Sequence, residues 1–348
     1  MNEKIRLDTG VFTISLDFEL IWGTLDLFGP EKFRRACELE RSVVIDRLLD
    51  LFVEFEVSAT WCIVGHLFLD RCDLKDGLKH PEIVRPAHGW HTGDWFDHDP
   101  CSNYEAAGIF YGRDLVDKIR DCPAPQEIGS HSFSHVIFGD EGCSRATAES
   151  ELAECVRLAR EQGITLRSFA FPRNVVGHLD VLREYGFACY RGAEPNWYER
   201  PGFPESLRRL FRLADVLRVA RPPVVLPEVD GSGLLNIPGS AVYFPMHGMR
   251  RYLPLSLRTG RAMKGLDAAA RARRVFHLWF HPTNLPNPED EMEAMFAGLR
   301  RILERAAELR ERGGLKILPM EALADLCANT RGGEERSEAA HEFAGAIN

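Results

Sequence analysis

Short apolar runs alternate along the chain with segments whose apolar residues recur at helical spacing. Glu38–Phe55 illustrates the second kind, because its Leu, Val and Phe positions fall on one face of a helix. The predicted strands are Val11–Leu20, Ser58–Gly65, Glu127–Ser130, Leu166–Phe171, Phe187–Tyr190, Val275–Phe280 and Leu315–Leu318. The predicted helices are Glu38–Phe55, Tyr111–Asp121, Ala146–Gln162, Val176–Tyr185 and Glu289–Arg312.

This alternation predicts an α/β fold with parallel strands. About seven strand–helix units favour a barrel over an open sheet, and we expect one domain over residues 1–328. Two stretches, 72–112 and 193–274, interrupt the alternation and are interpreted as inserts. The polar tail at 329–348 is expected to be disordered.

Composition narrows the class of protein. The 348 residues are 45% hydrophobic and 27% charged, which is typical of a folded protein rather than a disordered one. The net charge of -9 argues against a nucleic-acid partner. The nine cysteines are scattered without a Cys-x-x-Cys pair, so we expect neither a disulfide framework nor a cysteine zinc site. A cytoplasmic protein fits this cysteine usage and the polar segment Met1–Gly10, which lacks a signal-peptide core.

The first candidate site lies at the end of the predicted strand Val11–Leu20. Its Asp17 and Glu19 are two residues apart, so on a strand both carboxylates point to the same face. Adjacent carboxylates are costly unless a cation or a shared proton compensates them. An ordinary acidic strand end at the surface is the alternative, and the apolar run before the pair argues against it.

The second candidate site is the sequence His-Ser-Phe-Ser-His, which directly follows the predicted strand Glu127–Ser130. On the first turn of a helix, the i, i+4 spacing of His131 and His135 would put both imidazoles on one side. Two imidazoles and a carboxylate form a common site for a divalent catalytic metal. Two unrelated histidines at the start of a helix are the alternative.

Two further motifs close predicted strands. Pro172 and Arg173 end the strand Leu166–Phe171, and the proline turns the next residue out at the mouth of the strand. His281 ends the strand Val275–Phe280 and is a candidate general acid near neutral pH. A plain strand-to-loop turn and a capping histidine are the respective alternatives.

Taken together, these motifs resemble the polysaccharide deacetylase family (NodB homology, carbohydrate esterase family 4). The order is the same: an acidic pair, His-Ser-x-x-His, Phe-x-x-Pro and a strand ending in Leu-x-x-His. Ser58–Gly65 also looks like the second strand of that family. The resemblance covers roughly residues 11–320 and implies a distorted (β/α) barrel of about seven parallel strands.

The resemblance also implies an activity, the removal of an N-acyl group (acetyl or formyl) from an amino sugar. Glu19, His131 and His135 would hold a divalent metal, with zinc expected, and Asp17 would be the general base. His281 would protonate the leaving amine. The residue after Pro172 would lend its backbone N–H to the oxyanion, and Leu278 would line the pocket for the acyl methyl group. The candidate substrate-binding residues are Trp22, Trp95, Pro172 and Leu278.

The chain departs from the family pattern at two places. Phe18 separates Asp17 from Glu19, so the base and ligand roles of the two carboxylates are open to exchange. Ala170 replaces the usual arginine of the third motif, and we expect Arg173, three residues on, to orient the base. Relatives that hydrolyse cyclic amides without a metal keep that activity as an alternative, and an inactive sugar-binding relative is a further one.

Two other segments bear on the substrate. The stretch 72–112 is rich in Trp, His and Asp, which suits either stacking on a sugar ring or a loop packed by its own aromatic residues. Residues 205–274 contain thirteen Lys or Arg against five Asp or Glu, and Leu207–Arg221 is predicted to be a basic amphipathic helix. Such a helix suits a phosphate- or lipid-linked substrate at an anionic membrane surface, or a solvated face paired with the acidic remainder.

Overall fold

The computed structural model describes residues 3–194, 222–243 and 254–331, and every structural statement below refers to these ranges. The predicted basic helix Leu207–Arg221 and the tail after residue 331 lie outside them. Within the described ranges, no helix has both the length and the apolar character needed to cross a bilayer.

The described strands belong to one sheet, in which the buried strand Gly10–Phe18 pairs with three others. The strands are β1 Glu3–Lys4, β2 Gly10–Phe18, β3 Thr60–Ile63, β4 Glu127–Ser130, β5 Ser168–Ala170, β6 Cys189–Arg191, β7 Glu228–Val229, β8 Leu235–Asn236, β9 Ala241–Val242, β10 Val275–Phe280 and β11 Leu315–Ile317. From β6 through β5, β4, β3 and β2 to β10, every neighbouring pair is parallel. Strand β11 pairs with the first residues of β2 beside β3.

One short segment connects the two ends of this row of strands. Strand β8 pairs in parallel with β6, and β9 pairs in parallel with β10. Between them, the N–H of Gly239 donates to the carbonyl of Gly192 and the N–H of Ser240 donates to the carbonyl of His277. Residues 235–242 therefore complete a ring of seven parallel positions, although they lie in the stretch expected to be an insert. The predicted distorted (β/α) barrel is confirmed.

Helices cover the outside of the ring. They are α1 Leu25–Phe28, α2 Arg34–Leu39, α3 Ile45–Glu54, α4 Tyr104–Ala107, α5 Arg113–Arg120, α6 Arg145–Glu161, α7 Leu179–Glu184, α8 Leu255–Ala272, α9 Met292–Glu311 and α10 at 320–331. A π-helical turn, Glu40–Val44, joins α2 to α3, so the single predicted helix Glu38–Phe55 is interrupted. The predicted helices therefore exist with small shifts of their ends. The long helices α8 and α10 and the short helices α1, α2 and α4 were not predicted.

Strand alternation divides the residues of β2 between two environments. Phe12, Ile14 and Leu16 belong to the apolar core shared with the helices, where Phe12 stacks on Phe276 of β10. The intervening residues of β2 point into the ring. Val11 packs there in a second apolar cluster, whereas the buried polar groups of the interior need hydrogen-bond partners.

Glu127, the first residue of β4, is one of these buried interior groups. Its Oε2 accepts hydrogen bonds from Thr60 Oγ1 at 2.6 Å and from the N–H of Glu321 at 3.0 Å. Burial raises the pKa of Glu127 to about 7, although hydrogen bonds from Ser168 and Thr60 act in the opposite direction. The carboxyl is therefore more easily protonated in the folded chain than in the unfolded one.

This raised pKa gives the stability of the fold a defined pH dependence. The contribution of Glu127 to the free energy of unfolding is largest below its ordinary value of 4.5 and is lost as pH rises through about 7. Glu127→Gln keeps the side chain neutral, so it is expected to be more stable than the wild type by roughly 1–3 kcal/mol at about pH 8.5 and nearly equal at about pH 4. Denaturant titrations at both pH values, with exposed Glu311→Gln as the control, measure this. Parallel pH profiles for the wild type and Glu127→Gln would contradict it.

Candidate functional site

The polar residues predicted from three of the four motifs converge at the carboxyl ends of the parallel strands, where (β/α)-barrel enzymes carry their sites. Asp17 and Glu19 lie at the end of β2, and both contact the ring of His281, which directly follows β10. His281 Nε2 is 3.7 Å from Asp17 Oδ2 and 3.5 Å from Glu19 Oε1. The two carboxylates thus share a face of the strand, as their spacing predicts.

Glu19 also meets the two histidines that follow β4. Its Oε1 lies 2.9 Å from His131 Nε2 and 3.3 Å from His135 Nε2. One ligand atom from each of the three residues lies within 4.8 Å of the other two, and all three side chains are buried. The structure therefore brings together the three residues predicted to hold a metal.

The proton on His131 can be placed from its second contact. Its Nδ1 is 2.7 Å from the carbonyl oxygen of Ala170, so Nδ1 carries a proton and donates it there. In the neutral ring, Nε2 then presents a lone pair to the Glu19 carboxylate. Two lone pairs facing each other in a buried site require a metal ion or an additional proton between them.

The loop that carries the two histidines is not the predicted helical turn. Residues 131–135 follow β4 without a helix, and both Ser132 (φ 61°) and His135 (φ 63°) have left-handed backbone conformations. The N–H groups of Phe133 and Ser134 both donate to Glu151 Oε2 at 2.8 Å. Thus a buried carboxylate on α6 holds the loop, whereas the prediction relied on helical spacing.

Arg191, at the end of β6, was not predicted to be a site residue. Its guanidinium donates to both oxygens of Asp17, at 2.6 and 2.7 Å, and both side chains are almost completely buried. It also donates to Asn174 Oδ1 at 3.1 Å, and it lies 4.5 Å from the centre of the Trp279 ring. A charged residue at the end of a predicted strand was the signal available for Arg191.

The expectation that Arg173 orients Asp17 is wrong. Arg173 forms an ion pair with Asp26 and lies 5.0 Å from the Trp90 ring centre. Its backbone is left-handed, with φ 55°, and this turn directs the side chain away from Asp17. Arg191 supplies the guanidinium in its place, from the strand next to the one that ends in Ala170.

The charged groups at the carboxyl ends of the strands shift the pKa values of the acids and bases that lie there. Burial alone would raise the pKa of Asp17, but Arg191 and the neighbouring histidines hold it below its ordinary value. Burial likewise opposes ionisation of Glu19, yet His281, His135 and His131 hold its pKa well below the usual range. Burial lowers the pKa of His281, and Glu19 and Asp17 outweigh this and raise it to about 9.

Two of the four predicted substrate-binding residues pack in the protein interior. Leu278 packs in the outer apolar core, because strand alternation puts Trp279 rather than Leu278 on the face of His281. Trp22 is buried, and its indole N–H donates to the carbonyl of Phe110. The prediction for Leu278 is therefore wrong, and the one for Trp22 stays a prediction.

The other two lie beside the site. Trp95 is partly buried, and its indole N–H donates at 3.0 Å to the carbonyl oxygen of Ser134, the residue before His135. Its ring contacts Trp90, whose exposed fraction is 42%. Pro172 begins the turn that carries Arg173. Arg173 in turn lies 5.0 Å from the Trp90 ring centre, so these residues are neighbours beside the histidine loop.

Gly23 leaves the space that the Glu19 carboxylate occupies. A Cβ atom at residue 23 would lie 1.7 Å from Glu19 Oε2, so any side chain there would displace it.

Known proteins resemble this chain in fold rather than in sequence. Neither a family model nor a curated protein matches the sequence. Solved structures do match: a protein named as a polysaccharide deacetylase from Mycobacterium smegmatis is 13% identical, with a TM-score of 0.60 over 94% of this chain and 95% of that one. A protein from Pseudomonas aeruginosa PAO1 with the same description is 13% identical, with a TM-score of 0.56 over 91% and 90%.

A structure named Puue Allantoinase is also similar, with 13% identity and a TM-score of 0.54 over 91% of this chain and 89% of that one. At this identity the similarity concerns the fold. The resemblance drawn from the sequence motifs is confirmed at that level: this chain has the (β/α) barrel fold of the polysaccharide deacetylases.

Proposed function

We propose that this chain is a metal-dependent hydrolase that removes an acetyl or formyl group from the nitrogen of an amino sugar. The observation that carries the proposal is the buried meeting of Glu19, His131 and His135 directly beside Asp17 and His281. Polysaccharide deacetylases that share the fold support the choice of an acylated sugar as substrate.

The three ligands fit a divalent ion in number and in chemistry. The lone pairs of Glu19 Oε1 and His131 Nε2 face each other at 2.9 Å, and a cation between them removes their repulsion. Two imidazoles and one carboxylate leave positions open for water and substrate, as in catalytic zinc sites. A divalent ion held there, which we take to be Zn²⁺, would supply Lewis acidity towards an amide carbonyl and a water.

Asp17 is assigned the role of general base. Its lowered pKa keeps it ionised at neutral pH, and the two hydrogen bonds from Arg191 fix the direction of its carboxylate. It accepts the proton of the attacking water. Arg191 is a positioning residue, because it acts on the reaction through Asp17.

His281 is assigned the role of general acid. Its side chain is 31% exposed, and the Asp17 carboxylate, 3.7 Å from its Nε2, favours the protonated ring. A protonated imidazole donates to the nitrogen of the leaving amine, which otherwise departs as a poor anionic leaving group.

The substrate is assigned from the aromatic residues that lie beside the histidine loop. Trp90 and Trp95 offer aromatic faces beside the histidine loop, which suits a sugar ring. The backbone N–H of Arg173, at the turn after Pro172, is the proposed donor to the oxyanion. The segment predicted to favour a phosphate- or lipid-linked sugar, Leu207–Arg221, lies outside the described residues, so the carrier remains a prediction from the sequence.

The metal is tested by removing one ligand. His131→Ala is expected to lose one bound metal ion per chain and to abolish release of amine from N-acetylated and N-formylated amino sugars. Elemental analysis and an amine-release assay measure the two effects. The control is His178→Ala, at the residue before α7, whose ring bonds the carbonyl of Cys143 and none of the proposed ligands. Full turnover after exhaustive chelation would refute metal dependence and favour a cyclic-amide hydrolase, as the shared fold with an allantoinase suggests.

The base is tested separately from the metal. Asp17→Asn preserves the shape of the side chain and is expected to keep the bound ion while kcat falls by ~10²–10⁴-fold, the usual contribution of general-base catalysis. Metal content and kcat are measured on the same preparation. If Asp17→Asn loses the ion while Glu19→Gln keeps it and loses turnover, the two carboxylates have exchanged roles.

Arg191 is tested through its pairing with Asp17. Arg191→Met leaves a buried carboxylate unpaired and is expected to lower the free energy of unfolding by ~3–5 kcal/mol. Combining it with Asp17→Asn removes that charge, so the double variant is expected to be more stable than Arg191→Met alone. Urea unfolding measures both. Arg167→Met, which breaks a surface pair with Asp325, serves as the control and is expected to cost less than ~1 kcal/mol. Additive effects of the two interior substitutions would contradict a direct pairing.

A further inference from the structure

A second group of metal-ligand residues lies outside the proposed active site. His66, Cys72, His80 and Asp99 are all buried, and each places one ligand atom within 4.8 Å of the others. We propose that these four residues hold a structural Zn²⁺ ion that fastens the stretch 72–112 to the barrel.

The distances between the ligand atoms match a tetrahedral site. The two Nε2 atoms of His66 and His80 are 3.1 Å apart, and they lie 3.5 Å and 3.0 Å from Asp99 Oδ2. Cys72 Sγ is 3.8 Å from the same oxygen. Bonds of about 2.0 Å to nitrogen and oxygen and about 2.3 Å to sulfur separate tetrahedral ligands by roughly 3.3–3.6 Å.

The outer contacts of these residues leave lone pairs directed inward. His66 Nδ1 lies 3.0 Å from the carbonyl oxygen of Phe110, so it donates its proton there, and His80 Nδ1 lies 3.4 Å from Glu82 Oε1. The other oxygen of Asp99, Oδ1, accepts the N–H of Cys101 at 2.9 Å. Zinc-binding histidines have such partners, which fix the tautomer that exposes Nε2 to the metal.

The charges of the group match those of a divalent ion. When the ion binds, the Cys72 thiol releases its proton, so a thiolate and the Asp99 carboxylate balance the two positive charges of Zn²⁺. The complete site is then neutral, which suits its burial. Without an ion, three acceptor atoms face one another at 3.0 to 3.5 Å.

The site is closed, which indicates a structural role. Four protein ligands complete the coordination of Zn²⁺ and leave no open position for a substrate, unlike the three-ligand group at Glu19. A ligand set of two imidazoles, a thiolate and a carboxylate favours zinc over the hard ions Mg²⁺ and Ca²⁺.

The position of the site gives the ion two parts to join. His66 belongs to the turn that follows β3, whereas the other three ligands come from the stretch 72–112. The N–H of His66 donates to the carbonyl of Phe133 at 2.9 Å, and the His80 ring lies 5.2 Å from the Phe133 ring. The ion therefore also supports the loop that carries His131 and His135.

Cobalt substitution tests this site without relying on a variant. In the full-length chain loaded with Co²⁺, we expect a thiolate-to-cobalt charge-transfer band in the near ultraviolet. The group at Glu19 contains no sulfur, so this band reports only the second site. Cys72→Ser is expected to abolish the band, whereas Cys122→Ser, a cysteine just after α5, is expected to retain it.

Elemental analysis separates the two sites. We expect two Zn²⁺ ions per wild-type chain and one in either Cys72→Ser or His80→Ala. His131→Ala is also expected to hold one ion, and it keeps the charge-transfer band when loaded with cobalt. A chain in which the band persists but His131→Ala loses no metal would refute the proposed active-site metal and leave the structural site standing.

Two results would overturn the structural site. The first is a cobalt-loaded wild type that binds metal without a charge-transfer band. The second is a Cys72–Cys101 disulfide in the freshly purified protein, detected by its mass before and after reduction, because the Cys101 thiol lies beside Cys72 and the bond would consume the sulfur ligand. Limited proteolysis of the stretch 72–112 provides an independent check, since cleavage is expected to accelerate when the metal is removed.

Discussion

The buried guanidinium of Arg191 is the group on which the interior of the barrel depends. A positive charge in this position is tolerable only with complete pairing, and Asp17 supplies it with both oxygens. The same guanidinium donates to Ser15 Oγ, which bonds His277 Nε2 at 2.9 Å, and His277 Nδ1 lies 3.2 Å from the carbonyl of Ile237. Burial lowers the pKa of His277 to about 3, so the ring stays neutral. A continuous chain of hydrogen bonds thus links β6, β2 and β10 to residues 235–242, the segment that completes the ring.

Much of the architecture could be predicted from the sequence, because buried parallel strands are apolar runs and each ends at the same rim. That rule and the resemblance to the polysaccharide deacetylases together placed Asp17, Glu19, His131 and His281 in one site. It did not decide which arginine pairs with Asp17, since Arg173 and Arg191 both follow strands and only the left-handed turn at residue 173 separates them. The prediction for Leu278 failed for a related reason. The motif gives its distance from His281 along the chain, whereas strand alternation decides which face of β10 its side chain occupies.

Local spacing misled at the histidine motif for a different physical reason. An i, i+4 pair suits a helix, but here a buried carboxylate, Glu151, satisfies the backbone donors that a helix would have satisfied internally. The four-residue group at His66 was invisible for the opposite reason, because its ligands are separated by irregular intervals and include a single cysteine. In both groups, a histidine donates Nδ1–H to a backbone carbonyl and turns a bare Nε2 towards a carboxylate. This pattern of protons is recognisable only in three dimensions.

The neighbours of β2 have a consequence for synthesis of the protein in the cell. Strand β3 pairs with the second half of β2 and is translated soon after β2. The other partners of β2, strands β10 and β11, are encoded far downstream. At ~5–20 residues per second, the ribosome needs on the order of ten seconds or more to reach them. During that interval an apolar strand has an unpaired edge, which is a template for aggregation. A nascent chain of this kind is expected to depend on ribosome-associated chaperones until its last strands emerge.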